Sequence, residues 1–420
     1  MQLTPEQKQF ILMHEREDVR KTALRFVRDD MPLLLAQIAG RQMAEKKIPL
    51  WYAERDIIYP PHLSLEQSSS ELTARYKSSL VSGNSDKKLN FASVEPIDPY
   101  PVEWKNNHFA DLTGGMGVDF SFISPHFRNA AYVEQDQELC RIAEHNFGVL
   151  GLTNVSLHCS DAESFLKGIS PLDFIYLDPS RRDESGRKLF RIEDCTPDLS
   201  EIKTLLFERS DNAMVKYSPM LDISLAVKTL SCVREVHIVS VENECKELLF
   251  LLSKKDETVE TATEPLFVAV NLKKAGGKEC FSFTMEQEQK ATIPFANEPG
   301  HYLYEPNASI LKAGAFKSVA ALYNLQKLHI NSHLYTSDKF VKDFPGRIFK
   351  METFFIPNKK NTKSFSQETK KANITVRNFP MTVAEIRRKT GLQDGGDTYL
   401  FATTLSDERK VWIVCRRMLS

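Results

Sequence analysis

Residues Phe109–Phe120 read FADLTGGMGVDF, and this stretch decides the fold. A strand-like apolar run ends at Asp111, and glycines follow at Gly114, Gly115 and Gly117. Glycine this dense lets a backbone turn through conformations closed to other residues and come close to a ligand. A dinucleotide fingerprint, G-x-G-x-x-G, needs a third glycine. Counting from Gly115 and Gly117, that position is Phe120, so the fingerprint fails. Asp111, just before the turn, repels a pyrophosphate and suits a cationic or amine-bearing ligand.

Outward from the turn, short apolar runs alternate with helical patterns between Phe109 and Leu252. The strand candidates are HFADL, NAAYVE, VSLHC, LDFIYLD, NAMVKYS, EVHIVSV and ELLFLLS. Between several of them lie helix-like stretches such as DQELCRIAEHNFGVL and DAESFLKGI, a spacing that predicts βαβ units and a mostly parallel sheet. Only ENECK joins the last two strands, too short for a crossover, so an antiparallel hairpin is expected there. Residues 1–84 read as helices. Asp30 is placed to cap the segment DMPLLLAQIAGRQMAEK, and SSSE offers Ser68 as N-cap with Glu71 at the third position. Past the charged linker at 253–264, PLFVAVNLKK and KECFSFTM read as strands around an AGG turn. NASILKAGAFKSVAALYNL is helix-like, and NKKNTKSFSQETKK is expected to be a basic polar loop. TVAEIRRKTGL should form a helix ending at Gly391, and TYLFATTLSDERKVWIVCRR a hairpin. The layout expected is 1–84 helical, 85–256 α/β, 257–309 a small α+β segment and 310–420 a basic α+β domain.

Composition fits this. Of 420 residues, 42% are hydrophobic and 26% charged, the balance of a globular protein. No apolar run reaches the roughly 18–20 residues of a membrane span. Seven cysteines without a C-x-x-C pair argue for a reducing cytoplasm and against a disulfide framework or a structural metal site. The net charge of −1 hides an asymmetry, because Leu311–Ser420 holds 20 Lys and Arg against 9 Asp and Glu. A basic third on an acidic body suits a polyanion partner, although a solvated lysine-rich surface explains the charge equally well.

Three further acids follow strand candidates in order: Glu134 after AAYV, Asp161 after VSLHCS and Asp178 after LDFIYL. An α/β nucleotide site draws its contacts from such strand ends. There Glu134 can accept ribose hydroxyls, and Asp161, beside Ala162, can take an adenine amine. Each acid alone is more often a helix cap. Four in succession, with Asp111, point to an adenosine-bearing ligand.

Together DLTGGMGVD, VEQD, NVSLHCSDAESFL and LDFIYLDPSRR resemble the class I S-adenosylmethionine-dependent methyltransferases across residues 85–255. The resemblance implies a seven-stranded Rossmann-like sheet. It puts Thr113, Gly114, Gly115 and Gly117 against the methionine part of the cofactor, with Asp111 facing its cationic groups. Glu134 would hold the ribose, Asp161 and Ala162 the adenine, and Asp178 and Pro179 would open the methyl-transfer pocket. Flanking segments, YPPHLSLEQSSSELTARYK, VENECKELLFLL, YEPNASILKAG and RNFPMTVAEIRRKTGL among them, are similar to a bacterial group of these enzymes that carry a THUMP-like C-terminal domain. That implies a ferredoxin-like segment ahead of an RNA-presenting domain, and thus a tRNA or rRNA substrate.

Displacement at a sulfonium methyl asks the protein chiefly to position and desolvate. Asp178, Pro179, Ser180 and Arg181 are the catalytic candidates. Amino-methylating relatives carry an aromatic in this loop, whereas this chain has Arg181 and Arg182, which can stack on a base or grip phosphate. Carbon-5 chemistry needs a cysteine thiolate. The strand ending VKYSP has none, and Cys195, flanked by Glu193 and Asp194, reads as a buried small residue. Tyr217 can stack on a base or close the core, and Lys216 is a phosphate contact or a surface lysine. Lys359, Lys360, Lys363, Arg387 and Arg388 are the candidate RNA contacts, with a solvated loop as the alternative for the lysines. The function expected is methylation of structured RNA at a base nitrogen. A protein or small-molecule substrate, or an RNA-binding protein with a non-catalytic cofactor site, is the rival.

Overall fold

Proline and side-chain caps start the first helices, and their apolar faces decide where they pack. Thr4 and Gln7 form a reciprocal capping box on α1 (Pro5–His14), and Asp18 caps α2 (Val19–Arg25). A proline in the first turn opens both α3 (Met31–Lys47) and α4 (Pro49–Ala53). Asp30 does occupy the N-cap position of α3, but its carboxylate is spent on Arg28 and Gln7 instead of the helix. The cap of α5 (Glu71–Val81) is Ser70, accepting from the Thr73 N–H, and not Ser68 as expected. Glu71 therefore opens the helix and bonds to the Leu50 N–H. The computed structural model describes residues 3–60, 67–82, 104, 107–181, 191–254 and 264–418. They fall into two compact units. One holds the described residues up to 236 together with 247–254, and the other holds 237–246 and 264–418.

In the first unit, β1 (His108–Asp111), α6 (Val118–Ile123), β2 (Asn129–Glu134), α7 (Gln137–Val149), β3 (Val155–Cys159), α8 (Ala162–Gly168) and β4 (Phe174–Leu177) succeed one another. A two-residue ladder follows, β5 (Ser180–Arg181) with β6 (Cys195–Thr196), then α9 (Leu199–Arg209), β7 (Asn212–Tyr217) and α10 (Ile223–Leu230). β2 and β4 flank β1 in parallel, in register at Ala110 with Ala131 and Ile175. β3 and β7 extend the parallel set, and β9 (Glu244–Ser253) runs antiparallel to β7. β8 (Val233–Val241) turns into β9 through Glu242 and Asn243, both at positive φ, as a tight hairpin requires. The order β8-β9-β7-β4-β1-β2-β3 accounts for the seven strands expected. Two more, β10 (Leu266–Leu272) and β11 (Lys278–Phe283), follow next to β8 and bring the sheet to nine. The sequence treated them as a separate segment because a charged stretch, outside the described residues, precedes them.

The N-terminal helices do not stand apart from this sheet. Ala44, Trp51, Tyr59 and Ala74 share one apolar cluster with Met116, Val118 and Phe122 of the glycine turn and α6. Asn146 on α7, fully buried, exchanges two hydrogen bonds of 2.8 Å with the backbone of Ile58. His145 reaches the Asp56 carbonyl at 2.8 Å. Both residues are structural, as read from the sequence.

The second unit is built on a seven-stranded sheet. Its strands are β12 (Tyr302–Pro306), β13 (Gln326–Lys327), β14 (Tyr335–Ser337), β15 (Gly346–Phe355), β16 (Asn373–Arg377), β17 (Thr398–Thr404) and β18 (Lys410–Arg417), ordered β13-β14-β12-β15-β18-β17-β16. The β17–β18 hairpin is present as expected. Leu303, Phe349, Phe401 and Ile413 pack in one cluster, and Leu400, Trp412 and Val414 in another, as strand alternation sends neighbours to opposite faces. Met285–Lys290 is α11. The helix-like stretch after Asn307 is two short helices, α12 (Ala308–Ala313) and α13 (Ser318–Leu322), parted at Gly314 in the left-handed region. The basic segment expected as a loop is largely a helix, α14 (Lys359–Glu368), capped by Asn358 and seated through Thr362 and Phe365. α15 (Val383–Thr390) ends at Gly391, as expected.

Candidate functional site

The glycine turn lies where strand order reverses, between β1 and β4, the place an open α/β sheet keeps for ligands. Asp111 is the last residue of β1, Glu134 the last of β2, and Asp178 follows β4 directly. Backbone and side-chain bonds tie these strand ends together. The Thr113 N–H donates to Asp111 Oδ1 at 3.0 Å, and the Asp178 N–H to Thr113 Oγ1 at 2.6 Å. Glu134 accepts from the Gly115 N–H at 2.8 Å through Oε2 and from the Asp136 N–H at 2.9 Å through Oε1. Tyr132 closes the turn by donating to the Gly115 carbonyl at 2.5 Å.

The glycines divide in purpose. A Cβ on Gly114 would stand 2.1 Å from the Tyr132 ring, and one on Gly117, at φ +83°, 2.6 Å from Phe147. These two glycines make room for the protein's own aromatic rings. Gly115, at φ +53°, has only the Thr113 carbonyl, at 3.8 Å, near its missing Cβ. It alone leaves open space of the kind a ligand can use.

Asp161 caps α8, accepting from the Ser164 N–H at 2.8 Å, while Ala162 behind it is buried. The exposed strand-end position and the cap therefore coexist in one residue. Asp111 is 1% exposed. Burial drives its carboxyl well above the usual carboxylate range, and the negative charges of Asp119, Asp178 and Glu134 add to this against the Thr113 hydrogen bond.

Lys216 overturns the surface reading. It is buried, with Nζ 2.5 Å from Asp178 Oδ2, 3.3 Å from Ser69 Oγ and 3.9 Å from Asp119 Oδ2. Behind it stands Lys77 of α5, 0% exposed, with Nζ 2.7 Å from Glu247 Oε1 and 3.2 Å from Asp119 Oδ1. Ser69 joins the two lysines. Its hydroxyl donates to Asp119 Oδ2 at 2.7 Å and accepts from Lys77 at 3.0 Å and from Lys216. That uses the one proton and two lone pairs a serine has. Tyr176 adds a 2.7 Å bond to Asp119 Oδ2. Burial works against an ionised Asp119, but Lys77 and Lys216 outweigh it and hold the carboxyl below its usual range. Burial likewise opposes the Lys216 charge, and Asp178, Asp119 and Glu247 reverse it and raise that ammonium. At Asp178 burial prevails over Lys216 and the carboxyl moves up.

Sequence reading missed Ser69, Lys77, Asp119, Tyr176 and Glu247. One signal was available: Thr73, Lys77, Leu80 and Val81 fall on the buried face of α5, so a lysine sits on an apolar stripe.

Pro179 is buried and Ser180 exposed, and the Arg181 backbone pairs with Cys195. Arg182 lies outside the described residues. Cys195 is buried, its Sγ 3.9 Å from the Arg191 carbonyl oxygen. Tyr217 is buried edge-on against Phe250 and closes the core. In the second unit Lys359, Lys360 and Lys363 project from α14 and Arg388 from α15, all exposed. Arg387 is instead committed to the Leu392 and Ala372 carbonyls and to Asp394. Among the described residues there is no group of side chains fit for a metal ion, and no helix long and apolar enough to cross a membrane.

Known proteins share this build. A model of a ferredoxin-like domain matches residues 302–345, and a model described as THUMP domain-like matches 346–417. The ferredoxin-like match overlaps 257–309, the segment the resemblance implied for it, only at 302–309, and otherwise falls within the expected 310–420 domain. The crystal structure of a candidate methyltransferase from Porphyromonas gingivalis W83 is 30% identical, covers 100% of both chains and superposes with a TM-score of 0.83. The chain belongs to this THUMP-like methyltransferase family. A candidate class I S-adenosylmethionine-dependent methyltransferase from Listeria monocytogenes is 12% identical over 64% of this chain and 94% of that one, with a TM-score of 0.37. An rRNA methylase from Streptococcus thermophilus is 16% identical over 36% and 89%, at 0.28. A search of the curated proteins gives no match.

Proposed function

We propose that the protein is an S-adenosylmethionine-dependent methyltransferase that modifies structured RNA, tRNA or rRNA, at a base nitrogen. The observation that carries the reading is the set of strand-end acids bonded around the Gly115 turn, in a chain whose family fold is that of the methyltransferases. The residues fit the cofactor. Gly115 is the one turn glycine with room beside it, Glu134 is held by two N–H groups with its carboxylate at the strand end, and Asp111 is a buried acid that a cationic group would relieve. When bound, S-adenosylmethionine supplies a methyl on a positively charged sulfur, a good leaving group. Glu134 would hold the ribose, Asp161 and Ala162 the adenine, and Thr113, Gly114, Gly115 and Gly117 the methionine end. Asp178, at the mouth of the site, orients a target N–H and accepts the proton that nitrogen gives up. Residues 85–256 bear this chemistry, and 310–420, with Lys359, Lys360, Lys363 and Arg388 outward, receive the RNA.

Calorimetry with S-adenosylmethionine tests the first half: micromolar binding is expected, weakened at least tenfold by Glu134→Ala, a loss of about 1.4 kcal/mol. Tritiated cofactor with total RNA from a deletion strain, followed by nucleoside analysis, tests the second. Label in protein and none in RNA would overturn the RNA assignment.

A further inference from the structure

Five ionisable side chains from five elements meet beneath the site: Lys77 on α5, Asp119 on α6, Asp178 after β4, Lys216 on β7 and Glu247 on β9. Ser69, just before α5, is bonded to both lysines and to Asp119. Four of the five are buried, and Asp178 alone, its side chain 35% exposed, opens outward. The chain of contacts thus runs from a fully buried lysine of the N-terminal helices to the one carboxylate of the set that is partly exposed. Buried charges are costly unless each has a partner, and here every link is an ion pair or a bond to Ser69. A set built only for stability has no need of an exposed end.

We propose that Lys216, held by Ser69 and Asp119, which Lys77 in turn braces, is a positioning residue that fixes the direction and charge of the Asp178 carboxylate, so that the N-terminal helices complete the reaction site. The proposal rests on the methyltransferase reading for its consequence but not for its geometry. Lys216 presents a fixed cation at Asp178 Oδ2, which leaves Oδ1 to meet the target N–H. In the transfer, the nitrogen–methyl bond forms as the sulfur–methyl bond breaks, and the nitrogen's proton passes to Asp178 and then to water. Lys216 keeps its own proton throughout. The groups that face Asp178 are Lys216 and Lys77 as cations, and Asp111, Asp119 and Tyr176 as acids, while Glu247 acts on the two lysines.

The test follows the Asp178 carboxyl directly. In the full-length protein with isotope-labelled aspartate carboxyls, the Asp178 resonance is the one absent from Asp178→Asn. Its titration midpoint should rise by about one to three pH units in Lys216→Met, rise less in Lys77→Met and Ser69→Ala, and return in Lys216→Arg. Methyl incorporation into total RNA from a deletion strain should fall at least tenfold in Lys216→Met at neutral pH, its acid limb moving up with the midpoint, while cofactor affinity changes less than threefold. A midpoint unmoved in folded Lys216→Met overturns the proposal. Should that variant not fold, Ser69→Ala decides in the same way. If the wild-type protein labels no RNA, the functional reading falls, and the carboxyl titration still decides the pairing.

Discussion

Asp111 and Asp119 stand on either side of one glycine turn, and both are buried, yet their surroundings drive them in opposite directions. Asp111 ends a strand with a single N–H on Oδ1 and, among the described residues, no cation beside it. Asp119 begins a helix and meets two lysines, a serine and a tyrosine. Its carboxyl is thereby kept charged, whereas that of Asp111 is pressed to keep its proton. The difference teaches that burial of an acid says little until its partner is known. One carboxyl is matched by cations within the protein, and the other, among the described residues, is not.

The harshest way to break the completed side is to remove its deepest cation. Lys77→Ala leaves Glu247 and Asp119 buried with one lysine fewer, and breaking a buried pair costs about 3–5 kcal/mol. Urea unfolding at neutral pH should show a loss of that order, and a loss under about 1 kcal/mol would refute the network's integrity. Exchanging Lys77 and Glu247 together for apolar residues of similar size should recover most of it, since the uncompensated charge is then gone.

On the turn between the two acids the effect is smaller and sterically graded. Gly114→Ala drives a Cβ into the Tyr132 ring and should cost about 1–3 kcal/mol, as overpacking does. Gly115→Ala meets open space and carries only the left-handed backbone penalty of about 1–2 kcal/mol. The two separate in cofactor affinity. Gly114→Ala should lose stability first, and Gly115→Ala should lose binding with the fold largely intact, as thermal unfolding and calorimetry on the same samples would show.

How far this contrast was legible in the sequence depended on distance along the chain. The turn, the strand before it and the acids at Glu134, Asp161 and Asp178 were legible because each is a local pattern: an apolar run, then a small or acidic residue. The places of Asp119 and Lys216 were not, since Asp119 reads as one more residue of GVDF and Lys216 as a phosphate contact or a surface lysine until the sheet brings β7 beside β4. The Ser70 cap was missed for a different reason. Three serines precede Glu71, and only the backbone path selects among them. The helix at Lys359–Glu368 escaped because Thr362 and Phe365 are its only buried residues, too few to show a period in a polar run.

A pH series sharpens the comparison without breaking it. The folded-state pKa of Asp111 is raised, so its contribution favours the fold below the unfolded value of about 3.9 and fades as pH rises through the folded value. Asp111→Asn keeps the oxygen that accepts from Thr113 and should stabilise at neutral pH, the gain vanishing near pH 4 and below. Asp119 has the opposite sign. Its lowered pKa contributes above about 3.9 and is lost as pH falls through the folded value. Asp119→Asn should therefore cost most at neutral pH and least in acid. Parallel curves for the two variants would contradict the opposed surroundings.

The smallest expected effect carries the contrast between spent and unspent charge into the second unit. Arg387 and Arg388 are neighbours on α15, but Arg387 is bound to two carbonyls and Asp394, while Arg388 is exposed. Arg387 acts inside the fold, closing the end of α15 onto the Leu392 and Ala372 backbone. Arg388, with Lys359, Lys360 and Lys363 on α14, is available to a phosphate. Each phosphate contact releases about one counterion, so Arg388→Ala should lower the slope of log affinity against log salt for total tRNA by about one, across sequences alike. Arg387→Ala should leave that slope unchanged and lower the unfolding midpoint instead, because two carbonyls lose their donor. If the two variants exchanged these outcomes, exposure would be the wrong guide to which charges of this unit are open to a phosphate.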